Sequence, residues 1–158
     1  MRKLILLAVL ALPSAAFSQT QVTAKPLTDS DIQLLRQDIQ AIKDDIVSHT
    51  MQFTAAENTA FQPVYREYIA AQDAVRAKRL ALITDYAVNL DKIDDANARS
   101  MTQRLFAIEQ EFQTLRTTYF PRFERAIGAK RAAKFYQVDN RLTLIGNLQI
   151  TSEIPLIP

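Results

Sequence analysis

The chain has no cysteine and no tryptophan, one histidine and only two glycines in 158 residues. Each shortage removes a class of explanation. Without cysteine there is no disulfide and no thiolate nucleophile or ligand, so hydrophobic packing must carry the stability. His49 has no second histidine or cysteine to join it, and Met51 and Met101 are too few for a soft-metal site. The scarcity of glycine excludes a phosphate-cradling loop and a G-x-S-x-G elbow. It also fits poorly with sheets, whose hairpins draw on glycine or Asn-Gly pairs. Adjacent carboxylates such as Asp44 with Asp45 and Asp94 with Asp95 read as solvated faces or helix caps rather than as an acid–base pair. No enzymatic activity, metal or cofactor is expected.

Charge of one sign is also lacking. The formal net charge is +2, but the excess belongs to the first residues. The stretch "MRKLILLAVLALPSAAFS" has a basic start (Arg2, Lys3), an apolar run from Leu4 to Leu12, and Ala16 and Ser18 at the minus-three and minus-one positions of a cut before Gln19. This is the pattern of a secretory signal peptide over 1–18. Its apolar run is far short of the roughly 20 residues that span a bilayer. Cleavage removes Arg2 and Lys3 and leaves equal numbers of basic and acidic residues. The expected mature protein is exported to the periplasm or beyond, is not inserted in the membrane, and has no basic footprint for nucleic acid.

What is present is helical periodicity. After a polar arm over 19–27, the sequence predicts one all-α domain over 28–150 and an extended tail over 151–158. The first helix starts at Thr28, with a Thr28/Asp31 capping box and a Leu27–Ile32 staple. Its apolar seam is Ile32, Leu35, Ile39, Ile42 and Ile46, and His49 continues it as a packing or capping residue. Thr54 and Glu57 open a second helix that runs through Phe61, Val64, Tyr68, Val75, Leu82 and Tyr86 to about Asn89. "LDKIDD" at 90–95 is a turn, with Asp94 or Asp95 as the next cap. The third helix carries Met101, Leu105, Ile108, Phe112, Leu115 and Tyr119, and ends before Gly128. The fourth, about 129–150, shows Phe135, Val138, Leu142, Ile145 and Leu148.

Two prolines interrupt this regularity. Pro63 and Pro121 lie inside the second and third helices, where each lacks an amide hydrogen and bends its helix at a cost of about 3 kcal/mol. They are equally far from Lys92, one before it and one after. An antiparallel hairpin about that turn sets both at one level, about 43 Å from the tip at about 1.5 Å per residue. Phe61 and Tyr65 bracket Pro63 as Tyr119 and Phe123 bracket Pro121, which sets Phe61 opposite Phe123 and Tyr65 opposite Tyr119. The expectation is a proline-kinked hairpin whose arms curve together. The alternative is that each proline marks a helix boundary.

Two surface readings follow. The aromatic residues Phe61, Tyr65, Tyr68, Tyr119 and Phe123 are either core or a concave client-binding patch. Arg116, Arg122, Arg125, Lys130, Arg131 and Lys134 gather at the open end of the hairpin, and Asp85, Asp91, Asp94 and Asp95 at its tip. Ends of opposite sign suit a head-to-tail homodimer, or simply solvated surface and helix-dipole complementarity.

With these features assembled, "LTDSD" at 27–31 and "FTAAE" at 53–57 resemble the LTxxQ motif of the Spy/CpxP family of periplasmic helical proteins. The likeness in layout covers roughly 27–150. Asp31 and Glu57 stand where that motif has glutamine, and Phe53 where it has leucine. The resemblance implies a curved four-helix, often dimeric cradle. It implies an ATP-independent chaperone holding partly unfolded exported proteins, or an envelope stress-response accessory. The other reading is a non-enzymatic regulatory or structural module that docks on one folded envelope partner, such as a sensor protein. A single histidine departs from the metal-sensing members.

Overall fold

The computed structural model describes residues 29–157, with side chains from residue 40 onward. The chain is all-α: four helices and, among the described residues, no strand. They are α1 (Asp29–Met51), α2 (Ala55–Asn89), α3 (Asp95–Ile127) and α4 (Ala129–Ser152), with a 3₁₀ turn at Leu90–Lys92 between α2 and α3. The expected signal peptide, arm, Thr28/Asp31 box and Leu27–Ile32 staple lie outside the described residues.

Local devices set the starts of α2 and α3 and the end of α3. Thr54 Oγ1 accepts the Glu57 amide at 3.3 Å, and Glu57 Oε2 accepts the Thr54 amide at 2.9 Å, a reciprocal box that starts α2. The backbone hydrogen bond from Thr54 holds the Glu57 carboxyl below its ordinary range. Asp94 Oδ1 accepts the Asn97 amide at 2.8 Å and starts α3. Gly128 ends α3 at φ +80 and ψ 152, a region open essentially to glycine alone, and α4 begins on the next residue.

Helices α2 and α3 form the long hairpin. Glu67–Arg122, Lys78–Glu111 and Asp85–Arg104 are ion pairs across it, and the two residue numbers add to the same total in all three. The register of the ion pairs is therefore constant along the hairpin, and its total exceeds by five the one that would set Pro63 level with Pro121 about Lys92, so the two prolines are offset along the hairpin rather than level. Pro63 and Pro121 sit inside single continuous helices, so neither marks a boundary. The carbonyls each proline leaves without a helical partner belong to Thr59 and Thr117. Both threonines turn their hydroxyls back onto the preceding turn, Thr59 to Ala55 O at 2.9 Å and Thr117 to Gln113 O at 3.2 Å. Such back-bonding itself favours a bend, so both arms carry the same pair of devices.

Helix α4 packs on α3 and α1 packs on α4, whereas among the described residues the backbones of α1 and α2 do not come together. The main core joins Phe61, Tyr65 and Tyr68 of α2, Phe123 and Ile127 of α3, Ala132, Phe135 and Val138 of α4, and Val47 and Met51 of α1. A smaller cluster, Val75, Leu82 and Ile108, holds the distal hairpin together.

Two seams differ from the sequence reading. On α1 the row facing the core is Lys43, Val47 and Met51, with Ile42 58% and Ile46 38% exposed. The short connection to α2 turns Met51 inward, and four-residue steps back from it bring Val47 and Lys43 onto the same side. The side chains of Ile32, Leu35 and Ile39 lie outside the description. On α4, Ile145 and Leu148 point outward, at 57% and 70% exposure. At about 100° per residue the face that carries Ala132, Phe135 and Asp139 continues to Leu142 and Gly146 instead. The tail meets α2 where Tyr86 Oη donates to Pro155 O at 2.7 Å, and Leu156 beyond it is exposed.

Candidate functional site

The richest chemistry lies where α1, α2 and α4 converge beside the aromatic core. Phe61, 1% exposed, is surrounded by rings: Phe53 at 4.6 Å between centroids, Tyr65 at 5.0 Å, Phe135 at 5.0 Å and Phe123 at 5.4 Å. The Phe61 and Phe123 rings therefore meet, although the ion pairs across the hairpin follow a total five higher than the one that sets these two residues level. Tyr119 is offset from its expected mate: its ring meets Tyr68 at 5.3 Å, while Tyr65 turns its edge to Phe135 at 5.7 Å. The offset follows from rotation about the helix, which sends Tyr65 toward α1 and α4 and leaves Tyr68 over α3.

Above this core is a polar layer. Asp139, 2% exposed, accepts from Tyr68 Oη at 2.8 Å and from Gln72 Nε2 at 3.5 Å, and Lys43 Nζ lies 3.8 Å from its other oxygen. Gln72, also buried, accepts from Arg76 Nη2 at 2.6 Å. Burial pushes the Lys43 ammonium down, with the nearby Arg76 charge adding to it and Asp139 opposing it. Tyr65 Oη donates to Asp44 Oδ1 at 2.7 Å, and Gln40 Nε2 donates to the same oxygen at 2.7 Å. Burial raises both phenols above their ordinary range, and the facing carboxylate raises each further, Asp44 for Tyr65 and Asp139 for Tyr68.

Between α1 and α2 this layer opens into a cleft of about 420 Å³. Its floor is Val47, Phe53, Phe61 and Ile69, and its rim carries Asp44 and Ser48 from α1 and Asn58, Arg66 and Asp73 from α2. The cleft can accept an apolar group of side-chain size and can hydrogen-bond polar atoms at its edge. Among the described residues no group of three or more His, Cys, Asp or Glu is placed to hold a metal ion. His49 is exposed in the last turn of α1, where a basic side chain suits the negative end of the helix dipole.

The five aromatic residues proposed as a client patch are brought together, but as core. Phe61, Tyr65, Tyr68 and Phe123 are buried and Tyr119 is half-buried. As folded, none of the four buried rings offers a holding surface, because α1 and α4 cover the side of the hairpin that carries them. The six basic residues do not form one free patch. Arg131 and Lys134 donate to carbonyls at the C-terminal end of α1: Arg131 to Met51 O at 2.9 Å and Lys134 to Thr50 O at 2.7 Å. Arg131 Nε also lies 2.9 Å from Glu57 Oε1, an ion pair without hydrogen-bond geometry. Arg122 pairs with Glu67, and Arg116 lies over the Tyr136 ring at 5.9 Å. Of the six, only Arg125 and Lys130 are exposed with neither an ion pair nor a side-chain hydrogen bond among the described residues. At the tip, Asp94 is a cap and Asp85 pairs with Arg104. Much of the apparent charge separation thus serves local structure.

The residues that sequence reasoning missed are Asp139, Gln72 and Lys43. Their signal was present: Tyr68 and Gln72 stand four apart on the inner face of α2, and Asp139 interrupts the apolar face of α4 between Val138 and Leu142. No helix among the described residues is long and apolar enough to cross a membrane. Family models, curated proteins and solved structures give no match to this chain.

Proposed function

We propose that the protein is an exported, non-enzymatic protein-binding module that docks on one folded partner of the cell envelope. The observation that carries this reading is the apolar surface left outside the core on two adjacent helices: Ile42 and Ile46 on α1, and Leu144, Ile145 and Leu148 on α4. Lys43 lies against Asp139, so Ile42 is within about 10 Å of Ile145 along the helix axis at about 1.5 Å per residue. Outward aliphatic side chains at neighbouring levels of two packed helices are what an interface draws on. Polar residues in their place would serve solubility alone.

The test is crosslinking in cells with the pair Leu144→Ser and Leu148→Ser beside the natural chain. Because both side chains face outward, the pair should change stability by no more than about 0.5 kcal/mol per site. The reading expects one discrete crosslinked species that weakens in the pair. An unchanged species, or a broad smear of many partners in both, counts against it.

A second reading is favoured by the cleft: holding of partly unfolded exported proteins, in the manner of Spy-like chaperones, by the aromatic cluster behind α1. It expects suppression of the aggregation of a denatured model protein, and no suppression at several-fold molar excess removes it.

A further inference from the structure

From Gln40 onward, where its side chains are described, the strap formed by α1 differs from the other three helices in how it is held. It is joined to α2 through Gln52, whose φ of +48 is a backbone state that non-glycine residues seldom adopt, and through Phe53. Among the described residues it contributes only Val47 and Met51 to the core. Its remaining ties among the described residues are polar and discrete: Lys43 to Asp139, Asp44 to Tyr65, and its last carbonyls to Arg131 and Lys134. On the α2 side an open cleft of about 420 Å³ takes the place of helix–helix packing. Hydrogen bonds and ion pairs exchange readily with water, whereas interdigitated apolar packing does not. Helices α2, α3 and α4, by contrast, share the interlocked rings of Phe61, Phe123 and Phe135.

We propose that α1 is a hinged strap. Swinging about Gln52–Phe53, it uncovers Phe61 and Tyr65 and makes them the holding surface for an apolar segment of a partly unfolded protein. The closed form then hides the surface on which the holding reading rests, and this inference depends on that second reading. Asp139 keeps Tyr68 and Gln72 as donors when Lys43 leaves, so opening does not strand the buried carboxylate. Asp44 and Tyr65, at the mouth of the cleft, return to water on opening.

The absence of cysteine makes the test direct, because one introduced thiol is the only one. In Met51→Cys the thiol lies under the strap, and in Ala132→Cys it lies on α4 in the interlocked core; both positions are about 1% exposed. The proposal expects Met51→Cys to react with an aromatic disulfide reagent at least tenfold faster than Ala132→Cys, at a rate insensitive to low urea. Equal rates, both rising steeply with urea, overturn it. Val47→Cys repeats the measurement should Met51→Cys lose its helical signal.

The second arm locks the strap with a short bismaleimide between Ser48→Cys and Asn58→Cys, which line opposite walls of the cleft. The lock should cut aggregation suppression about tenfold relative to the uncrosslinked double variant. Fast Met51→Cys labelling with no suppression by the natural chain rejects the holding reading and leaves the hinge standing. Fast labelling with suppression unaffected by the lock rejects the assignment of the surface behind α1.

Discussion

Removing one hydroxyl, in Tyr68→Phe, isolates the worth of the buried polar layer. Tyr68 Oη donates to an Asp139 carboxylate that is 2% exposed, and the other donors are farther away, Gln72 at 3.5 Å and Lys43 at 3.8 Å. A hydrogen bond to a charged acceptor contributes about 1.5–3 kcal/mol, and the carboxylate left behind has no solvent to turn to. The expected loss is about 2–3 kcal/mol, a fall of about 1–2 M in the urea midpoint at an m-value of about 1.5 kcal/mol/M. Asp139→Leu alone strands Tyr68 and Lys43 and should cost at least about 3 kcal/mol. The double variant removes both partners, so it should be more stable than the sum of the single losses implies, by about 1 kcal/mol or more. Urea unfolding followed by circular dichroism gives all three numbers. A Tyr68→Phe loss below about 0.5 kcal/mol, or strict additivity in the double variant, would refute the claim that this layer is an intact buried network.

Three further outcomes follow from the same geometry. Phe61→Ala empties the centre of the ring cluster and should cost about 3–5 kcal/mol in the same urea experiment. Ile42→Ser with Ile46→Ser should change stability by less than about 1 kcal/mol in total, whereas Val47→Ala alone should cost about 2 kcal/mol; the reverse order would restore the isoleucine seam as the buried one. Stability should fall above about pH 10, because the folded pKa values of Tyr65 and Tyr68 are raised while the unfolded phenols ionise near the ordinary value. The loss is about 1.4 kcal/mol per pH unit for each phenol. Lys43 works in the opposite sense, since its folded pKa is lowered, but its gain is complete once pH passes the ordinary lysine value of 10.5. Tyr65→Phe with Tyr68→Phe should therefore flatten the alkaline limb, read as the urea midpoint between pH 9 and 12.

Helix ends and the pairing of α2 with α3 were legible in the sequence because each rests on chemistry within a few residues. The Thr54/Glu57 box, the Asp94 cap and Gly128 act locally, and the reversal near Lys92 brings Phe61 near Phe123, while the exact register was not legible: the ion pairs total five more than a reversal centred on Lys92 gives. The threonines four residues before each proline, Thr59 and Thr117, are an equally local signal. The faces of α1 and α4 were not legible. A run such as Ile39, Ile42, Ile46 satisfies helical periodicity on its own terms, and the neighbour that selects Lys43, Val47 and Met51 is distant in sequence. Sequence spacing also left the aromatic residues open between core and surface. Four of them became core because α4 lays Phe135 across the proximal hairpin, a placement that no local signal encodes. The cations at the open end looked free because their acceptors are backbone carbonyls of α1, which carry no sequence signature.

The most direct test of the account is a nuclear Overhauser spectrum of the protein with phenylalanine and tyrosine ring protons selectively labelled. A closed core joining α2, α3 and α4 predicts cross-peaks from the Phe61 ring to both Phe123 and Phe135, and from the Tyr68 ring to Tyr119. Sharp, averaged ring signals without those cross-peaks would mean that the aromatic residues are not packed together, and the hairpin, the core and the strap over it would fall at once.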